Sequence, residues 1–182
     1  EPLILKYYDE FIKSRASGIV AEDFRALAVY EARILPDDQK VLSDINSGTD
    51  LHRTALIDKR DIKDPGLLDK LGMLSSAANA GFSGRITHYD PNSIDYQIDT
   101  AVPAVIFFNE VYYPGWRLSS DGKDLPLFRV NHAFRGTYLE AGSHKLKMSF
   151  FPFSFKIGLI VSVCSLVFIF FNIIFRRKKQ GS

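Results

Sequence analysis

From Ile157 to Phe175 the chain runs 19 residues without a charge, rich in Ile, Val, Leu and Phe and bracketed by Lys156 and Arg176. As an α-helix rising about 1.5 Å per residue, this stretch reaches roughly 28 Å, the thickness of a bilayer's hydrocarbon core. The alternative, a buried core helix, does not account for hydrophobicity on every face followed by a basic stop. The stretch therefore reads as a transmembrane helix over residues 155–175. Its C-terminal flank carries Arg176-Arg177-Lys178-Lys179 against one Lys on the other side. By the positive-inside rule the basic tail, residues 176–182, is cytoplasmic, and residues 1–154 are extracytoplasmic.

The overall charge of +2 hides this division. Residues 1–155 hold 18 of the 23 Lys and Arg but all 21 Asp and Glu, so the outer part is mildly acidic and has no electrostatic footprint for nucleic acid. With 46% hydrophobic residues the whole chain has ample material for a packed core, which excludes disordered, collagen-like and disulfide-scaffold classes. The single Cys164 lies mid-membrane, so no disulfide within the outer domain is possible and its core alone must hold it. The chain opens Glu1-Pro2-Leu3-Ile4, without Met or a basic-then-apolar leader. An exported domain then implies either a signal peptide already removed or the tail of a longer polytopic protein.

Residues 1–62 read as a small α/β segment. Pro2, Ile4, Tyr8, Phe11 and Ile12 suit a short amphipathic helix ending before Gly18, Phe24 to Leu35 a buried strand, Pro36 to Ile45 a helix stopped by Asn46-Ser47-Gly48, and Arg53 to Asp58 another strand. Residues 63–83, with Pro65-Gly66 and the small-residue run Ser75 to Gly81, read as a linker.

Residues 84–154 alternate polar and apolar positions between turn signals. Arg85–Tyr89 and Ile94–Thr100 flank Asp90-Pro91-Asn92-Ser93; Trp116–Ser119 and Leu125–Val130 flank Ser120-Asp121-Gly122-Lys123; Phe134–Leu139 and His144–Phe151 flank Glu140-Ala141-Gly142-Ser143. Ala104 to Asn109 is a continuous apolar strand, as a sandwich centre requires. The fold class is thus mainly β (α+β): an antiparallel β-sandwich of immunoglobulin-like or jelly-roll type, a small N-terminal α/β part and one C-terminal transmembrane helix. The last strand reaches that helix through only Pro152-Phe153-Ser154-Phe155, so the domain sits close to the bilayer.

The sequence offers little catalytic chemistry. His52, His88, His132 and His144 have no ligand spacing, and no Gly-x-Ser-x-Gly elbow, Walker loop or dinucleotide-binding glycine pattern occurs in the outer part. Asp37-Asp38 and Asp121 with Asp124 sit in turn and capping contexts. The informative cluster is Asn109-Glu110-Val111-Tyr112-Tyr113-Pro114-Gly115-Trp116, where a strand ends in a Pro-Gly turn. Tyr112, Tyr113 and Trp116 can offer a sugar ring apolar faces and hydroxyls, or Trp116 can be the core anchor of the sandwich. Arg129, Asn131, His132 and Arg135 can present a cationic patch to a phosphate or anionic glycan, or be the solvated face of a strand.

Five motifs in order carry a likeness. Tyr112-Tyr113-Pro114-Gly115-Trp116, Asp121-Gly122-Lys123, Asn131 followed by Phe134-Arg135-Gly136, Ala141-Gly142-Ser143-His144, and Phe151-Pro152 leading into a membrane helix resemble the C-terminal end of the YfhO family of bacterial membrane proteins. Pro2-Leu3-Ile4-Leu5 with Tyr8 and Phe11, and Ala32-Arg33-Ile34 before Pro36, are similar to the segment after that family's main membrane bundle. The resemblance implies a polytopic glycosyltransferase of GT-C architecture in the bacterial cytoplasmic membrane. Such an enzyme transfers sugar from a polyprenyl-phosphate donor to a cell-envelope glycan or lipid acceptor, lipoteichoic acid for instance. The essential acidic residue of that architecture lies in an early loop that nothing here matches, so no catalytic residue, metal or cofactor is carried over. The expectation is an accessory domain that positions the acceptor or braces the active site. Two alternatives are a non-enzymatic single-pass surface module binding carbohydrate or protein, and a purely structural brace.

Overall fold

A computed structural model describes residues 26–74 and 81–180, with side chains described through residue 170. The N-terminal helix expected between Pro2 and Gly18 lies outside the described residues.

Among the described residues eleven strands and three α-helices follow one another: β1 (Ala26–Val29), β2 (Glu31–Leu35), α1 (Asp38–Asn46), β3 (Thr54–Asp58), α2 (Pro65–Gly72), β4 (Phe82–Asp90), β5 (Ser93–Thr100), β6 (Ala104–Val111), β7 (Trp116–Ser120), β8 (Lys123–Leu125), β9 (Phe128–Val130), β10 (Phe134–Leu139), β11 (Gly142–Phe150) and α3 (Phe153–Gln180). The expected antiparallel sandwich is present: a five-stranded sheet, β4-β5-β11-β7-β8, faces a four-stranded one, β1-β6-β10-β9. Alternation explains the core. Ile94, Tyr96 and Ile98 of β5, Leu118 of β7, and Leu146 and Met148 of β11 turn inward onto Ala104, Ile106 and Phe108 of β6, while Asp95, Gln97, Lys145 and Lys147 turn out. The Tyr96 and Phe108 rings meet at 5.1 Å.

The unbroken apolar run of β6 has a cause beyond the sandwich centre. Its odd residues Val105 and Phe107 face away from the first core and enter a second one with Ala55, Ile57, Ile62, Leu67 and Leu71. The four-stranded sheet is therefore covered on both faces, the condition under which a strand loses its polar alternation. The cover is the parallel pair β2–β3 together with α2, and α1 closes over its far side through Leu35, Val41, Leu51 and Leu56.

Three boundaries differ from the sequence reading. The single strand expected from Phe24 to Leu35 divides at Tyr30, so that β1 pairs with β6 inside the sandwich and β2 pairs with β3 outside it. Residues 63–83 are not all linker: Asp64 accepts the Gly66 N–H and starts α2 with Pro65 in its first turn, and Leu67 and Leu71, one helical turn apart, are buried. The strand expected from Leu125 to Val130 is interrupted by Pro126, which has no N–H for a ladder, and the chain crosses from β8 in one sheet to β9 in the other.

Register fixes the two ends of the sandwich. Ser93 of β5 and Trp116 of β7 lie opposite Ser149 and Phe150, beside the start of α3, whereas Thr100 lies opposite Gly142 at the far end. The chain enters β1 at the helix end, since Ala26 pairs with Phe108 and Val29 with Val105. Helix α3 begins three residues after β11 and runs 28 residues, about 42 Å. Its segment Phe153–Phe170 is long and apolar enough to cross a membrane and has no protein packed around it.

Candidate functional site

The aromatic turn between β6 and β7 is built onto the root of α3. Gly115 has φ +114, a conformation L side chains rarely adopt, and a Cβ there would lie 3.0 Å from Pro152 Cα and 3.1 Å from the Phe150 ring. Its carbonyl accepts the Phe151 N–H at 3.0 Å, and on the neighbouring turn Asn92 accepts the Phe150 N–H at 2.9 Å. Two turns of the sandwich thus grip the two residues just before the junction. The Phe150 ring sits between Trp116, at 5.1 Å, and Tyr113, at 6.0 Å. Tyr113 is 60% exposed and Tyr112 is half-buried, so the two tyrosines present accessible surface while Trp116 packs against the sandwich core.

Arg135 lies underneath, 5% exposed. Its guanidinium stacks 4.1 Å from the Trp116 ring, pairs with Glu110 at 2.6 Å, and donates to the Val111 carbonyl at 3.0 Å and the Met148 sulfur at 2.8 Å. The pairing of β6 with β10 shifts between Phe134 and Arg135, which places Asn109 and Glu110 in an irregularity and lets the carboxylate turn inward. Burial pulls the guanidinium pKa below its ordinary value, with Glu110 opposing. This group anchors the floor of the turn. The sequence marked Arg135 as a candidate but assigned Glu110, which lies in the aromatic cluster, no role, since its local signal is only a charge near the end of an apolar strand.

Asn131 and Arg129 lie next to it and serve other contacts. Asn131, at φ 50, donates its backbone N–H to the Leu56 carbonyl at 2.8 Å and accepts the Leu56 N–H on its side-chain oxygen at 2.9 Å. One residue thereby supplies both halves of a ladder step to β3 and docks the outer layer on the sandwich. Arg129 binds Asp61 at 3.0 Å, with Asp38 at 3.7 Å and Asp58 at 4.0 Å; Asp61 holds its pKa above the ordinary value. His132 contacts Asp38 at 2.9 Å, and Arg60 grips Asp58 at 2.7 Å, holding that carboxyl below the usual range. Three carboxylates thus surround Arg129, a setting that favours neutralised pairs over a bound anion. Of the six residues singled out from sequence, the structure brings together Tyr112, Tyr113, Trp116 and Arg135; Asn131 and Arg129 face the outer layer.

A second concavity, missed in the sequence, opens at the far end between α2, the β7–β8 turn and the β10–β11 turn. It measures about 660 Å³ and is floored by Leu67, Leu125, Pro126 and Leu139. At its rim Lys70 bridges to Glu140 at 2.7 Å, and the Tyr138 hydroxyl donates to Glu140 at 2.9 Å. Lys70 draws the Glu140 pKa down, while burial, assisted by Glu140, pushes Tyr138 up to about 12. Lys70 and Glu140 are 70 residues apart, and no local pattern marks them as partners.

A two-sheet sandwich clamped without a flexible linker to a bare apolar helix defines a membrane-anchored β domain. Residues 77–162 match the family model described as bacterial membrane protein YfhO. Over 95 residues the chain is 30% identical to a protein of Bacillus subtilis (strain 168) described as uncharacterized protein YfhO; the match covers 52% of this chain and 11% of that relative. No solved structure matches the chain. Over residues 77–162, which are less than half of its length, the chain is similar to the YfhO family of membrane proteins, and it spans about a tenth of the length of the relative it matches.

Proposed function

We propose that this chain is the extracytoplasmic accessory domain and anchoring helix of a polytopic GT-C-like glycosyltransferase, and that the Tyr112–Trp116 turn positions the glycan or lipid acceptor for sugar transfer from a polyprenyl-phosphate donor. One observation carries the reading: the turn is fastened to the residues that lead directly into the apolar helix, with Gly115 against Pro152. Accessible Tyr113 and Tyr112 therefore stand at the level of lipid head groups, where a polyprenyl phosphate and a lipid-anchored acceptor meet. A tyrosine offers a sugar both an apolar face and a hydroxyl. The domain contributes orientation rather than proton transfer, because Glu110, the carboxylate nearest the turn, is committed to Arg135. Entry and exit of the chain on the helix side suit a domain strung between membrane segments.

In the intact protein, Tyr112→Ala with Tyr113→Ala is expected to raise the KM for acceptor and lower glycosyl transfer about tenfold, the loss of roughly 1.4 kcal/mol of binding, with unfolding temperature unchanged. Unaltered transfer and acceptor affinity in a folded variant would sink the acceptor role.

The far-end cleft favours a second reading, a single-pass surface module that binds carbohydrate or protein away from the membrane. An immunoblot of native membranes separates the two: a band several times larger than 20.6 kDa supports the polytopic enzyme, and one near that mass supports the module.

A further inference from the structure

We infer that the helix end of the sandwich is itself a lipid-binding surface, seated in the head-group layer of the bilayer that α3 enters. The argument rests on where apolar surface is left uncovered, and it stands independently of the glycosyl-transfer reading. Tyr89 is 52% exposed, Val111 65%, Tyr113 60% and Phe151 48%. They belong to three different connections, yet register gathers all of them at one end: Tyr89 pairs with Ile94 beside the β4–β5 turn, Val111 pairs with Phe134, and Phe151 follows β11 directly. Among the described residues outside α3, the other exposed large apolar side chains are Leu42 and Met73, single residues on α1 and just after α2. The far end turns instead on exposed Asp121, Gly122 and Lys123, and on Glu140, Ala141 and Gly142.

Exposed aromatic and aliphatic side chains at one pole of a domain mark an interaction surface. Continuity with the spanning helix identifies the occupant. The Phe151 N–H bond to Gly115 and the Phe150 N–H bond to Asn92 leave no slack between the sandwich and α3, so this pole cannot lift away from the membrane surface. Its chemistry fits that depth, since tyrosine and similar amphipathic rings concentrate at head-group level. Lys156 in the first turns of α3 lies 5.2 Å from the Phe151 ring, its charge directed back toward the sandwich and out of the hydrocarbon.

The chain contains its own depth gauge, because Trp116, its single tryptophan, lies at this pole. The 182-residue chain would be reconstituted in phosphatidylcholine vesicles, and its emission compared with that in phosphatidylcholine brominated high or deep along the acyl chain. Loss of Trp116 emission with the shallow bromine, larger than with the deep one, is expected. A second probe removes dependence on Trp116, which is partly shielded by Phe150 and Arg135. In a Cys164→Ser background, an NBD label at Val111→Cys should be quenched by the shallow brominated lipid and protected from aqueous iodide, and the same label at Lys123→Cys should behave oppositely. Quenching of the Val111 probe by iodide would show a pole standing in water and overturn the inference. Protection from both quenchers would place protein, from this chain or a second copy, on the surface and overturn it equally.

Discussion

At Glu110 one carboxylate decides whether the aromatic turn keeps its floor. The buried Arg135 guanidinium touches β6, β7 and β11 from its place on β10, and Glu110 is its counter-charge. Glu110→Gln would leave that cation buried without its counter-charge, a change that costs about 3–5 kcal/mol. Thermal unfolding in detergent should show a large fall in Tm, and an unchanged Tm would mean that the pair contributes nothing. Arg135→Lys is expected to fall nearly as far, since an ammonium cannot stack on Trp116 while also reaching Glu110 and the Val111 carbonyl. Gly136 makes a different kind of demand. It sits in a sheet covered on both faces, and a Cβ there would collide with the Val130 side chain and come within 3.3 Å of the Ile106 carbonyl. Gly136→Ala should destabilise the protein by about 1–3 kcal/mol through overpacking, measured by the same unfolding experiment.

Among the elements, the junction between β11 and α3 is the decisive one. The Pro-Gly turn packs so closely on Pro152 that only glycine fits, and the left-handed backbone at Gly115 reinforces the restriction. Gly115→Ala should cost about 1–3 kcal/mol and loosen the turn from the helix root; a rise in acrylamide quenching of Trp116 at temperatures below unfolding would register the loosening. The turn and both flanking strands were legible in the sequence because Pro, Gly and strand alternation act over a few residues. What the turn packs against was not, since Gly115 and Pro152 meet only through the fold. The same distinction explains α2: Asp64 and Pro65 are ordinary helix-start signals, but the Pro65-Gly66 pair matches a loop equally well until Leu67 and Leu71 find the second core. Likewise β1 and β2 form one apolar run in sequence, and only their partners β6 and β3 separate them.

For the whole molecule, the outer layer is fastened to the sandwich by the second apolar core, by charge and by one asparagine. Asp58, 3% exposed in its side chain, is held by Arg60 below the usual carboxylate range. A folded pKa below the unfolded value, near 3.9 for Asp, contributes stability that is complete above about pH 5 and is lost as pH falls through the folded value. Tm should therefore hold from neutral pH to about 5 and drop below about 4, and Asp58→Asn should flatten that drop; an identical acid profile in the variant would place the sensitivity elsewhere. The outer layer was the least legible part of the molecule. Arg129 with Asp61, and Asn131 with Leu56, are 68 and 75 residues apart, so these two members of the possible anion patch hold the layers together, while Arg135 holds the floor of the aromatic turn. Class and membrane attachment, by contrast, follow from periodicities of two residues in the strands and from the all-round apolar helix.

The direction in which β1 enters has an evolutionary consequence. Ala26 opens the sandwich on the side where Phe151 leaves it, so the domain behaves as a long excursion from one surface back to that same surface. Such a module can be enlarged, trimmed or exchanged without rethreading whatever flanks it. Across relatives, changes in loop length should accordingly collect at the far end, around the β7–β8 and β10–β11 turns, while the Pro-Gly turn beside the helix keeps its length.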